Sequence, residues 1–141
     1  MMMFKKILVP TGLADKNENA IRAALDLARQ NGGQICLLHV LEKLGGEPDG
    51  ETEAFYQKLA EQADRTLSQW QKRFQAEFSG VQIEKNILVG KRVGEIISFC
   101  ESGGFDLIVM ASRSISTEHQ PFGTLSHQVA LFAPVSVLMV R

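Results

Sequence analysis

Cysteine is scarce in this chain: there are two in 141 residues, Cys36 and Cys100. They stand far apart and lack metal-ligand spacing, which excludes a disulfide framework and a zinc knuckle. Both sit in apolar runs and read as reduced core thiols. Excess charge of either sign is also missing. Fifteen Lys and Arg face sixteen Asp and Glu, for a formal net charge of −1. Without a basic surplus there is nothing to hold a phosphate backbone, so no nucleic-acid partner is expected. The longest apolar tract, Val129 to Val140, is broken by Pro134 and is too short to span a bilayer. The opening residues Met1 to Lys6 put the apolar segment before the basic pair, the reverse of a secretory leader. A cytoplasmic protein with no membrane partner is the resulting expectation.

The remaining 45% hydrophobic residues are distributed as alternating strands and helices. Residues 6–10 form a short apolar run bounded by charge and proline, the pattern of a strand buried on both faces. Thr11 to Ala14 turn the chain. Asp15 with Glu18 forms a capping-box pattern that predicts a helix from Lys16, with Ile21, Ala24, Leu25 and Ala28 on one face and a stop at Asn31 to Gly33. A second strand runs from Gln34 to Leu41. Residues 42–51, with Gly45, Gly46, Pro48 and Gly50, read as a loop. Phe55, Leu59, Ala63, Leu67, Trp70, Phe74 and Phe78 then recur every three or four residues and predict one long core-facing helix.

Residues 81–90 read as a partly polar edge strand, and Val93 to Cys100 as a short helix ending at Gly103-Gly104. Residues 106–110 form a fourth strand, 124–132 a helix and 135–140 a fifth strand. This βαβαβαβαβ order predicts one α/β domain over residues 1–141, a parallel sheet with helices on both faces. Ligands in such sheets sit where loops leave the carboxyl ends of strands.

Residues 6–11 (Lys-Ile-Leu-Val-Pro-Thr), 37–40 (Leu-Leu-His-Val), Val89-Gly90, Ile96-Ile97, residues 106–110 (Asp-Leu-Ile-Val-Met), Gly123-Thr124 and Pro134-Val135 occur in an order and spacing that resembles the universal stress protein family across nearly the whole chain. The resemblance implies a five-stranded open sheet of order 3-2-1-4-5, adenine nucleotide alpha hydrolase-like, with a crevice between Pro10-Thr11-Gly12 and residues 111–114. It implies a cofactor-binding set of Pro10, Thr11, Gly12, Val40, Val89, Ala111, Arg113, Ser114, Gly123 and Thr124. It also implies a homodimer joined through the last strand, which would hide an apolar edge.

Members that bind ATP carry an Asp two residues after the first strand's proline, and Gly-x-x-Gly after the fourth strand followed by nine residues and a further Gly. Small residues there let backbone N–H groups approach phosphates at a helix start. Here the Asp position is Gly12, the two loop glycines are Ala111 and Ser114, and eight residues precede Gly123. The expectation is a non-enzymatic stress-response module that dimerises and engages a protein partner, with a degraded nucleotide crevice. The alternative is a regulatory switch that binds ATP or another adenine nucleotide.

Other polar residues have structural readings. Arg113 can offer a fork of donors to an anion or sit in solvent. His39, inside the second strand, reads as a core histidine. His119 and His127 lack a third metal ligand. Ser112, Ser114, Ser116 and Thr117 make a hydroxyl-rich loop. No nucleophile elbow, Walker loop or redox pair is present, so neither catalysis nor a metal is expected.

Overall fold

The computed structural model describes residues 3–43, 49–112 and 124–141. Five parallel strands form one sheet in the order β3-β2-β1-β4-β5. They are β1 (Lys6–Pro10), β2 (Gln34–Glu42), β3 (Gln82–Gly90), β4 (Leu107–Ala111) and β5 (Ser136–Val140). Four α-helices connect them: α1 (Glu18–Asn31), α2 (Gly50–Glu77), α3 (Arg92–Gly103) and α4 (Leu125–Phe132).

Strand alternation divides the core into two layers. Ile7 and Val9, Ile35 and Leu37, and Leu107 and Val109 face α1 and α2, where Ile21, Leu25, Leu67, Trp70 and Phe74 meet them. Leu8, Cys36, Leu38, Ile108 and Met110 face the other way, onto Ile96 and Cys100 of α3 and Val129 of α4. This split follows from chain direction. Right-handed crossovers moving outward from β1 to β3 put α1 and α2 on one face; reversing to reach β4 and β5 puts α3 and α4 on the other. All three residues Ile7, Leu8 and Val9 are fully buried, as a central strand covered on both faces requires.

Several element starts differ from the sequence expectation. Asp15 does not cap α1. Residues Asp15–Asn17 form a 3-10 turn, and α1 begins at Glu18 without a side-chain cap bond. The turn runs straight into the helix, so no capping box closes. Glu18 instead turns outward to Arg22 and Arg73. The amide of Asn17 is buried and donates to the Ala14 carbonyl at 2.9 Å. Helix α2 starts at Gly50, inside the expected loop, because Asp49 caps it by accepting from the Thr52 N–H at 2.7 Å. Residues 44–48 of that loop lie outside the described residues. Phe55 does not join the core seam: it is 53% exposed, and none of residues 50–62 is buried. β4 and β5 each begin one residue later than expected.

The rungs of the sheet are unevenly shared. β2 and β3 pair over nine residues, β1 and β2 over five, and β4 and β5 over five. β1 and β4 pair over only two, Ile7 with Leu107 and Leu8 with Ile108. At the amino ends this seam is clasped by Asp106, whose carboxylate accepts from the backbone N–H groups of Lys5 at 3.0 Å and Lys6 at 3.1 Å. At the carboxyl ends it opens. Pro10 has no N–H to give, and the Thr11 N–H goes to Leu38 of β2 at 2.8 Å.

Two predictions follow from this packing. Gly32 ends α1 in the left-handed conformation (φ 66°), as C′ glycines do. Its neighbour Gly33 is needed for a different reason: a methyl there would overlap the backbone of Lys5. Gly33→Ala is expected to push β1 and β2 apart and cost about 1–3 kcal/mol, by analogy with overpacking, read as a lowered midpoint in urea. The second prediction concerns the thiols. Burial pushes Cys36 up to about 12, helped by Glu84 and opposed by Lys6; burial also raises Cys100, with Glu101 and Asp106 adding to it. The folded thiols hold their protons above the ordinary range of about 8.5. Their contribution to stability is therefore intact below that pH and declines as pH rises above it, for Cys36 toward about 12. Alkylation of the native protein at pH 8 should be near zero and complete after unfolding, and Cys36→Ala should lessen the alkaline loss of stability.

Candidate functional site

Where the seam between β1 and β4 opens, the two strands leave in different directions and a cavity of about 760 Å³ lies between the loops. That is within the range of small-molecule sites, and it occupies the point at which strand order reverses. The floor is apolar, formed by Leu38, Val40, Ile96 and Met110. One wall is the turn after β1. Thr11 is buried there and its hydroxyl donates to the Gly12 carbonyl at 2.9 Å. The Thr11 carbonyl meets Nδ1 of His39 at 2.9 Å. A carbonyl only accepts, so this bond requires the proton on Nδ1. His39 is thus tied to the site wall, where the sequence suggested a core role.

The opposite wall comes from β4 and α4. Ala111 and Ser112 continue β4, and the Ser112 N–H is held by the Val140 carbonyl at 2.7 Å. Thr124 caps α4: its hydroxyl accepts from the His127 N–H at 3.4 Å and lies 3.1 Å from the hydroxyl of buried Ser126. The start of α3 closes a third side with Arg92, which also pairs with Glu42. Thus two helices begin at the rim, and helix starts favour negative charge.

Of the sequence-derived set, Pro10, Thr11, Gly12, Val40, Ala111 and Thr124 are brought together around this cavity. Val89 is not. It lies near the end of edge strand β3, 48% exposed, and does not line the cavity. Arg113, Ser114 and Gly123 lie outside the described residues, as do Ser116, Thr117 and His119. Sequence reasoning missed Lys16, Asn17, Asn19, Arg92, Ser126 and Arg141, all of which line the cavity. The 3-10 turn brings the Asn17 amide back beside Gly12, with Nδ2 3.2 Å from where a β-carbon of residue 12 would stand.

The electrostatic character of the described lining is one-sided. Lys16 and Arg92 are present, and no Asp or Glu side chain is. Hydroxyls of Thr11, Ser112, Thr124 and Ser126 supply neutral donors. Neither cysteine reaches the cavity lining. This arrangement can hold an anion against an apolar floor. Among the described residues it offers no Asp or Glu side chain to act as a base.

Comparison with known proteins agrees with this architecture. The sequence profile of the universal stress protein family matches residues 3–141. Universal stress protein MJ0531 of Methanocaldococcus jannaschii is 28% identical over 143 residues, covering 99% of this chain and 83% of that protein. The universal stress protein UspA from Lactobacillus plantarum superposes with a TM-score of 0.80 at 22% identity, covering 99% of both chains. The universal stress protein from Archaeoglobus fulgidus in complex with dAMP gives 0.71 at 23% identity, covering all of both. The strand order, the switch-point cavity and a profile match running almost end to end lead to one assignment: this chain belongs to the universal stress protein family.

Proposed function

We propose that the chain is a non-enzymatic stress-response module that works as a homodimer and through a protein partner, and whose crevice has lost the family's firm grip on ATP while keeping room for an adenine nucleotide. The observation that carries this reading is the cavity itself: sized for a small molecule, walled by basic side chains and hydroxyls, and with no Asp or Glu side chain in its described lining. Gly12 stands where the resemblance places an acid, and Ala111 where it places a glycine. A β-carbon at 111 makes the left-handed conformation costly and so limits backbone approach to a phosphate. Support for a nucleotide of modest size comes from the Archaeoglobus fulgidus relative of the same fold, which holds dAMP. The absence of a cysteine or of an Asp or Glu side chain in the described lining supports binding without turnover.

A ligand at a hundredfold excess over its Kd stabilises a protein by about 2.7 kcal/mol, or about 5–10 °C for a chain of this size. Thermal melts against AMP, cyclic AMP and ATP are expected to reach that shift only at millimolar nucleotide, with no release of phosphate. A full shift at micromolar magnesium ATP would overturn the weakened crevice; no shift with any nucleotide would remove the nucleotide altogether.

The dimer reading rests on β5. It is one of the sheet's two edges, and Leu138 and Met139 on it are 39% and 46% exposed. Apolar edges invite strand pairing, and a two-fold copy satisfies both edges at once. Light scattering is expected to give twice the chain mass, and the double variant Leu138→Lys, Met139→Lys is expected to give a monomer. A clean monomer from the unaltered chain contradicts the reading.

A further inference from the structure

Resting on the reading that the crevice holds an adenine nucleotide, we infer that it takes the nucleotide as the metal-free anion, with Lys16 and Arg92 doing the work of a divalent cation. A bound phosphate must have its charge compensated. One solution is magnesium held between phosphate oxygens and a protein carboxylate. The other is side-chain cations and helix starts. The described lining is built for the second. Lys16 comes from the 3-10 turn after β1 and Arg92 from the first turn of α3, two cations from two separate elements. No Asp or Glu side chain joins them in the described lining. Glu42, the partner of Arg92, stays outside the lining.

The position beside β1 reinforces this. Residue 12 is glycine, and the adjoining space is held by the neutral Asn17 amide, whose Nδ2 is already bonded to the Ala14 carbonyl. An amide nitrogen is a donor and does not ligate a hard cation. Bringing magnesium with the nucleotide therefore adds a positive ion beside Lys16 and Arg92, with no Asp or Glu side chain in the described lining to receive it. Magnesium should compete with the protein for the phosphate tail. The effect should grow with the length of that tail, because a triphosphate chelates the ion and a monophosphate scarcely does.

Isothermal titration of the intact chain with ATP and with AMP, each in EDTA and in excess magnesium, tests the inference. Expected are binding of both nucleotides in EDTA, an affinity for ATP about tenfold weaker in magnesium, and an AMP affinity little changed; Arg92→Gln and Lys16→Gln should each weaken binding in EDTA by about tenfold, the scale of one charge-assisted hydrogen bond. Nucleotide binding that requires magnesium or is strengthened by it overturns the metal-free mode and leaves a nucleotide crevice standing. Binding in EDTA that neither substitution weakens, in variants that melt as the parent does, also overturns it. No heat with either nucleotide in either buffer overturns the crevice reading and this inference together.

Discussion

The two-rung seam between β1 and β4 is the constraint on which the rest of the molecule depends. β1 is the strand from which the chain first builds outward in one direction, through β2 to β3, and beside which it must later return to lay β4. Loops on the two sides of the seam run toward opposite faces, so the carboxyl ends cannot stay zipped. Asp106 fastens the amino ends through two backbone N–H groups. Pro10 denies the carboxyl end a donor, and Thr11 gives its own to β2. A fork clasped at one end and released at the other is the physical origin of the cavity.

The chemistry of the cavity follows from what the diverging loops bring to it. The 3-10 turn after β1 delivers Lys16 and Asn17, the first turn of α3 delivers Arg92, and the cap of α4 delivers Thr124. Each comes from a connection between a strand and the next helix or from the start of that helix, where the backbone is free of the ladder and side chains can converge. The floor stays apolar because it is the upper layer of the same core that α3 and α4 cover. Binding capacity here comes from polar side chains at the rim of an apolar pocket, an arrangement suited to a ligand with a flat apolar part and a charged tail.

Much of the fold was legible in the sequence because its signals are local. Ile7, Leu8 and Val9 form an uninterrupted apolar run, and all three are buried from both sides. Ile21, Ala24, Leu25 and Ala28 mark the inner face of α1 and are all buried. Where the reading failed, a competing contact decided. Asp15 and Glu18 have capping-box spacing, yet the 3-10 turn carries the chain past Asp15 and salt bridges draw Glu18 away. Phe55 keeps the period of the α2 seam but lies beyond the sheet it would cover. The cavity lining was legible at Pro10, Thr11, Gly12, Val40 and Ala111, which lie at or near strand ends, and at Thr124, which caps α4. Arg92 and Arg141 were not, because they converge only when α3 and β5 are placed in three dimensions. Val89 failed for the same reason in reverse: its strand is in the sheet, but at the far edge from the fork.

Helix α2 has a length out of proportion to the strands beneath it. Its 28 residues span about 42 Å, against about 30 Å for the nine-residue strands β2 and β3. Its buried residues begin only at Ala63. The turns before that point hold no fully buried residue, and the Asp49 cap fixes their start. Such a segment tolerates lengthening, shortening or surface replacement without a void opening anywhere in the interior, so it is the stretch of this chain in which drift in size and surface character carries the least penalty.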